Sequence, residues 1–445
     1  MESPNQPGKV RSTCLVIVGI GLLICGLLLN QWSIGWLVSP SGIIHSFIAK
    51  VLIWTVQATL LLFAVLILIY RNNVRTRKVL GNIILVFGVL WLIFELTCGG
   101  WFRGETVADR GVLNSVEWTI DVSNLYDSQS SITYSRDHCG LRGSYPNPSV
   151  IDILTIGSST TDNRMIDDSA TWQAVLQREF MSKGDTVYIA NAGVAGQPAY
   201  GNINSFERWF PLIPALKPPY VLFFLGYWEF ARPPERNESF KQIELPLVKR
   251  IINKSGFWLL RRKLSFWLDP DFSYRVASLG GTHPAQLDWT KQPLLDSIAY
   301  DTIMASSLQS FERAILRLIA LSRELGAEPI FVTQPTPLWK IENGVISGVA
   351  HPTDSTKGWT KLYSGLRING VDAYHIMRRQ DQLIKKLAVE QNALFIDVVP
   401  DSVWAPSDWF DEIHWSPQGC KKFGKLLYRE LRPILDPNKA TSNTP

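Results

Sequence analysis

The stretch Ile151-Asp-Ile-Leu-Thr-Ile-Gly157-Ser158-Ser159-Thr160-Thr161 sets the architecture of the domain. An apolar run that ends in glycine, followed at once by small hydroxyl residues, reads as a strand that turns tightly into a helix. Working outward, Ala170–Phe180 predicts a helix and Thr186–Ala190 a second strand. Tyr220–Leu225 is a continuous apolar run, as a strand buried on both faces should be. Ser306–Leu325, Val371–Gln391 and Pro417–Leu431 predict helices, and Pro329–Thr333 and Ala393–Val398 two further strands. Strands alternating with helices imply an α/β domain whose parallel sheet of five strands is covered on both faces.

Two long stretches interrupt the alternation, about 230–293 and 335–370. Both leave from the C-terminal ends of strands, where open α/β sheets place ligand sites. They shape or cap a substrate pocket, or they elaborate the loops with a small core of their own or contact the membrane face.

The chain has 445 residues and a formal charge of +5. Residues 1–100 hold seven basic groups (Lys9, Arg11, Lys50, Arg71, Arg75, Arg77, Lys78) and two acids (Glu2, Glu95), so the whole excess lies there. A neutral remainder gives no electrostatic reason to bind nucleic acid. The same N-terminal region carries three apolar runs, and three transmembrane helices are expected at about 14–37, 50–70 and 79–97. Buried core helices, or a signal peptide for the first run, are the alternatives. Basic residues precede the first run and lie between the second and third, whereas Ser39–Ser46 has none. The positive-inside rule then puts the N-terminus in the cytoplasm and everything after the third span outside a plasma (inner) membrane, in the periplasm or extracellular space. The expected organisation is a membrane region (1–98), a connecting segment (99–134), a globular domain (135–435) and a flexible tail (436–445).

Of five cysteines, only Cys139 and Cys420 fall in the exported part, a pair compatible with a disulfide but not requiring one. No Cys/His spacing suggests a zinc site, and no metal or cofactor is expected.

Three groups of residues carry chemistry. Ser159 lies past the first strand, where helix amides favour developing negative charge; the same pattern fits a plain N-cap. Asp411-Glu-Ile-His414, before the last helix, can present acid and imidazole together, the acid orienting the ring. In a doubly wound sheet the first and last strands end on one edge, so these groups can meet. Asn191-Ala-Gly193-Val-Ala-Gly196 follows the second strand, and Gly193 is a candidate oxyanion donor or simply a tight-turn glycine.

The order Gly-Ser-Ser, Asn-Ala-Gly, a glycine turn after the third strand, and Asp-x-x-His resembles the SGNH/GDSL hydrolase superfamily over roughly residues 135–432. Arg136-Asp-His-Cys-Gly140-Leu-Arg142-Gly is similar to the lead-in of membrane-anchored bacterial members. The resemblance implies a flavodoxin-like three-layer α/β/α fold. It also implies Ser159 as nucleophile, His414 as general base, Asp411 as its orienter, and the Ser159 and Gly193 amides as oxyanion donors. Family members act on esters of carbohydrates and lipids as esterases, lipases, thioesterases or O-acetyl transferases.

The chain departs from the family pattern at two positions. Ser158 stands where the family usually has Asp. Trp228, in Gly226-Tyr227-Trp228-Glu229, stands where an Asn completes the oxyanion hole. Trp228, Asn202, Asn204 or Gln334 then supplies that donor, or activity is weak, or the substrate differs, or the domain is a non-catalytic member. Asn191 and Gln334 are candidate substrate contacts. The expected function is a membrane-anchored serine ester hydrolase acting on O-acyl, above all O-acetyl, groups of a carbohydrate or lipid. An O-acyltransferase for a surface polysaccharide is the alternative. A third reading is a non-catalytic glycan-binding or export-complex subunit with other membrane proteins as partners.

Overall fold

The computed structural model describes residues 7–38, 47–70, 73–102, 107, 112–125, 130–226, 229, 234–238, 251–252, 254–260, 288–350, 362, 365–399 and 404–435. The chain divides into two compact units.

The first unit comprises the N-terminal helices α1 (Pro7–Leu28), α2 (Gln31–Val38), α3 (Phe47–Tyr70) and α4 (Val74–Cys98). Helix α1 packs along α3, where Gly19 faces Leu68 and Gly26 faces Leu61. Small residues permit this close approach of two apolar helices. Among the described residues two segments are long and apolar enough to cross a membrane, Lys50–Tyr70 and Gly81–Cys98. The expected first span is interrupted. Asn30 Oδ1 accepts from the amides of Trp32 (2.9 Å) and Ser33 (3.0 Å), which ends one helix and caps the next. The described apolar helix Val16–Leu28 is correspondingly shorter than the other two.

Part of the first expected insertion belongs to this unit, so the globular domain is not one uninterrupted stretch. Glu95 accepts from Ser255 Oγ (2.8 Å) and the Gly256 amide (2.8 Å), and the Gly100 amide donates to the Lys254 carbonyl (2.7 Å).

The second unit begins within the expected connecting segment, which is not a plain linker. Strands β1 (Val116–Asp121) and β2 (Ser131–Arg136) form an antiparallel hairpin with its own apolar core of Ile120, Ile132 and Tyr134. Apolar and polar residues alternate along both strands, and the Thr133 and Ser135 amides of β2 donate to Asp167 and Asp168.

Strands β3 (Ile153–Gly157), β4 (Ile189–Asn191), β5 (Tyr220–Phe224), β7 (Glu328–Val332) and β10 (Leu394–Ile396) form a parallel sheet in the order β10-β7-β5-β3-β4. Alternation along the strands builds two cores. Leu154, Ile156, Val221, Phe223 and Phe331 face helices α7 (Ala199–Arg208), α8 (Ser297–Glu324) and α9 (Gly370–Glu390). Ile153, Leu222, Phe224, Ile330 and Val332 face α6 (Trp172–Ser182) and α10 (Pro417–Leu435). The result is the three-layer α/β/α arrangement, with strand ends within a few residues of the expected ones. Cys139 lies in the first core and Cys420 in the second, and both thiols are free. They do not form a disulfide, because the sheet separates them; burial pushes Cys139 up to about 11 and Cys420 to about 12, so both stay protonated.

The second insertion is also ordered in part. Strands β8 (Trp339–Glu342) and β9 (Val345–Val349) make a hairpin, and β6 (Trp289–Thr290), from the end of the other insertion, joins it. The expected tail lies outside the described residues.

Trp172 ties the second core to the turn that carries Ser159. It is fully buried and packs edge-on against Phe423 (5.3 Å) and Phe224 (6.1 Å), and its indole N–H donates to the Thr160 carbonyl (3.1 Å). Trp172→Ala is expected to destabilise the fold by about 3–5 kcal/mol, read as a lowered thermal unfolding midpoint.

Candidate active site

Parallel strands end on one edge, and the candidate residues gather there. After β3, Ser159 opens the short helical turn α5 (Ser159–Asp162). Gly157 makes the turn possible, because a Cβ on it would lie 2.2 Å from Thr161 Oγ1 and 2.5 Å from the Phe224 carbonyl. Ser159 occupies the first helical position, where the amide has no intrahelical acceptor.

His414 comes from the loop before α10. A backbone bridge pairs Trp409 with Trp415, their rings stack at 3.8 Å, and the Phe410 amide donates to the His414 carbonyl (3.1 Å). Inside this closed loop Asp411 has two tasks. Its Oδ1 accepts from the amides of Ile413 (2.8 Å) and His414 (2.7 Å), and its Oδ2 lies 2.7 Å from His414 Nδ1. Three-residue spacing thus lets one carboxylate fix the turn and orient the ring. Burial alone would raise the Asp411 carboxyl; the imidazole and the amides outweigh it and hold the group below its usual range. Phe410 stacks nearly parallel on the imidazole (5.5 Å, 11°). With the Nδ1 proton donated to Asp411, Nε2 accepts from the Ser159 hydroxyl at 2.8 Å.

The residues around this chain differ from several expectations. The Gly193 amide donates to Asn191 Oδ1 (2.8 Å), and a Cβ there would lie 2.4 Å from the Asp162 amide nitrogen. Gly193 is therefore a packing glycine beneath the turn that carries Ser159, with its N–H engaged. Gly196 lines the cleft beside Ser159 and His414, with φ of +76° and its amide 3.1 Å from Ser158 Oγ. The sequence shows both glycines, and only packing tells them apart.

Asn191 is buried and donates to the Thr161 carbonyl (2.6 Å), so it braces the turn and is not a substrate contact. Asn202 and Asn204 donate to carbonyls of their own helix region, Pro198 and Tyr200 (both 3.2 Å). Gln334 does reach the site: it lines a small pocket with Ser159 and donates to Thr160 Oγ1 (3.3 Å). Trp228 lies outside the described residues.

A buried charged cluster, not assigned a role from sequence, clamps the turn. Arg136 donates to Asp162 Oδ1 (2.7 Å) and to the Gly193 carbonyl, and Tyr134 OH donates to the same carboxylate oxygen (2.9 Å). Arg142 donates to the carbonyls of Asp162 (2.7 Å) and Asn163 (2.8 Å). Burial would raise the Asp162 carboxyl, but Arg136, Arg164 and Arg142 hold it below its usual range. The available signal was the pair of arginines in Arg136-Asp-His-Cys-Gly140-Leu-Arg142, whose partners lie too far along the chain for spacing to reveal them.

Two spaces flank Ser159. One is a nick of about 10 Å³ lined by Gln197, Leu225, Glu229, Gln334 and Ile413. The other is a cleft of about 260 Å³ walled by Met165, Ile166, Phe410 and Trp415. Asp137, His138 and Cys139 bring metal-ligand atoms together. Asp137, however, already accepts from the Cys139 and Leu141 amides (both 2.9 Å) and Tyr145 OH (2.6 Å), which makes it a turn former.

No protein-family model matches the chain, and no curated protein matches it. Solved structures do. A putative lipolytic protein of the G-D-S-L family from Desulfitobacterium hafniense is 15% identical over 62% of this chain and 97% of its own, with a TM-score of 0.31. Axe2, an acetylxylan esterase from Geobacillus stearothermophilus, is 14% identical over 64% and 96%, with a TM-score of 0.32. The psychrotrophic esterase EstA from Pseudoalteromonas is 10% identical over 64% and 98%, with a TM-score of 0.30. At these identities and scores, the function of this chain has to be argued from its own residues.

Proposed function

We propose that the protein is a serine ester hydrolase of the SGNH type, tethered to a membrane and acting outside it on O-acyl groups of a carbohydrate or lipid. The observation that carries this reading is the chain Ser159 Oγ to His414 Nε2 (2.8 Å) and His414 Nδ1 to Asp411 Oδ2 (2.7 Å). A hydrogen bond from nucleophile to base, with the base oriented by a third group, is the arrangement that activates a serine.

In the proposed reaction His414 takes the Ser159 proton as the oxygen attacks the ester carbonyl. Negative charge collects on the former carbonyl oxygen. The Ser159 amide donates to it, and the Gly196 amide exchanges its Ser158 partner for it. Removing one such donor costs about 10²–10³ in rate in other enzymes. The imidazolium, stabilised by Asp411, returns the proton to the departing alcohol and leaves an acyl-serine. Water, activated by His414 in turn, releases the acid and restores Ser159.

Tethering rests on two long apolar helices, Lys50–Tyr70 and Gly81–Cys98, with the shorter first run as a third span. Basic residues between them favour a cytoplasmic loop and an exported domain. A sugar hydroxyl in place of water would make the same acyl-enzyme a transferase. The detergent-solubilised full chain is therefore to be incubated with O-acetylated polysaccharide, with and without a deacetylated acceptor. Free acetate in both reactions is the expected result. Acetyl transfer that requires the acceptor would replace hydrolase by transferase, and neither product from folded protein would remove the enzyme reading.

A further inference from the structure

The cleft beside Ser159 and His414 has an apolar wall and a single permanent cation, Arg164; among the described residues no carboxylate lines it. Arg164 shares its nearest acid with two other guanidinium groups, and its own guanidinium lies 5.7 Å over the Tyr134 ring. The acid beside it is Asp162, which is fully buried and already bound through Oδ1 to Arg136 (2.7 Å) and Tyr134 OH (2.9 Å). Only Asp162 Oδ2 faces Arg164, at 3.2 Å. Arg142, the third guanidinium bearing on Asp162, has its own partner in Asp168 (2.5 Å). Asp167 is engaged by Ser169 Oγ (2.6 Å) and the Thr133 amide (2.9 Å). The Arg164 Nε is buried with no acceptor, while the side chain as a whole remains 33% exposed. The part of Arg164 open to a ligand is the exposed portion of its side chain at the cleft, and a guanidinium fork matches the two oxygens of a carboxylate or phosphate.

We propose that Arg164 is an anion-recognition residue of this site, so that the ester it takes is carried on a sugar-type alcohol bearing a carboxylate or phosphate group. The proposal rests on the ester-hydrolase reading above and narrows its substrate class. Acyl carbonyl and anion lie on the same bound molecule, the first at Ser159 and the second at Arg164. The wall of Met165, Ile166, Phe410 and Trp415 packs against the ring between them. The cleft, at about 260 Å³, is close to the lower end of small-molecule sites and suits one ring at a time.

The test compares three acetyl esters on the detergent-solubilised full chain: acetylated methyl glucoside, acetylated methyl glucuronide and acetylated glucose 6-phosphate. Wild type is expected to favour an anionic ester by about tenfold or more in kcat/KM, the usual scale for a hydrogen bond to a charged group. The difference should lie in KM and shrink as salt is raised. Which anion is preferred separates an acidic sugar from a phosphorylated one. Arg164→Gln should bring the anionic-to-neutral ratio close to one, and Arg164→Lys should restore part of it. Equal rates for all three esters in wild type, or an unchanged ratio in Arg164→Gln, would overturn the proposal. Calorimetry on Ser159→Ala with methyl glucuronide, glucose 6-phosphate and methyl glucoside tests the subsite without turnover. Charge-selective binding that Arg164→Gln removes would uphold the subsite even if no ester is hydrolysed, in which case only the hydrolase reading falls. Binding without charge selectivity would sink the subsite alone.

Discussion

Replacing Ser159 by alanine is expected to remove fluorophosphonate labelling of the protein and to lower ester turnover by about 10⁶, the scale seen when a triad serine is deleted elsewhere. The size of the effect follows from geometry. Ser159 Oγ lies 2.8 Å from His414 Nε2, and alanine leaves the imidazole nothing to deprotonate. The fold should be untouched, since Ser159 supplies neither the buried core nor the cap of α6. Equal labelling of wild type and Ser159→Ala would show that some other nucleophile reacts. Absence of labelling in folded wild type would count against an activated serine altogether.

Asp411→Asn is expected to lower kcat by about 10⁴ while the protein stays folded. The asparagine oxygen can still accept from the Ile413 and His414 amides, so the turn survives. Its amide N–H₂ would then face Nδ1 in place of a carboxylate oxygen. That moves the ring proton to Nε2, which can no longer accept from Ser159. The comparison to make is turnover beside the unfolding midpoint: a large loss of rate with little thermal shift is the expected signature, and parallel losses would indicate a merely structural aspartate. The sign of the pH dependence follows from the same carboxylate. Its folded pKa is depressed, so its contribution to stability is full above the ordinary aspartate value of about 3.9 and is lost as pH falls through the folded value. Asp411→Asn should accordingly narrow the stability difference between neutral and acidic solution, measured as unfolding midpoints down to about pH 3.

Features governed by local chemistry were readable from the residues alone. Runs such as Tyr220–Leu225 have to be buried on both faces, so the parallel sheet was legible. Asp411 and His414 belong to one turn that the aspartate itself closes, so their pairing was legible too. The meeting of Ser159 with His414, 255 residues apart, followed from one rule of sheet geometry, and the tertiary structure supplies its 2.8 Å contact. Where two similar residues compete, composition cannot choose. Gly193 and Gly196 look alike in sequence, but Gly193 has the Asp162 backbone against it and Gly196 lines the cleft. Asn191 reads as a ligand contact until its amide is seen bracing Thr161. The hairpin inside the expected connecting segment alternates regularly in sequence, and the tertiary structure adds the bonds from its Thr133 and Ser135 amides to Asp167 and Asp168. Arg136, Arg142 and Asp162 were plain charges in the sequence. Burial made them a clamp, since charges removed from water must find partners wherever the fold brings them.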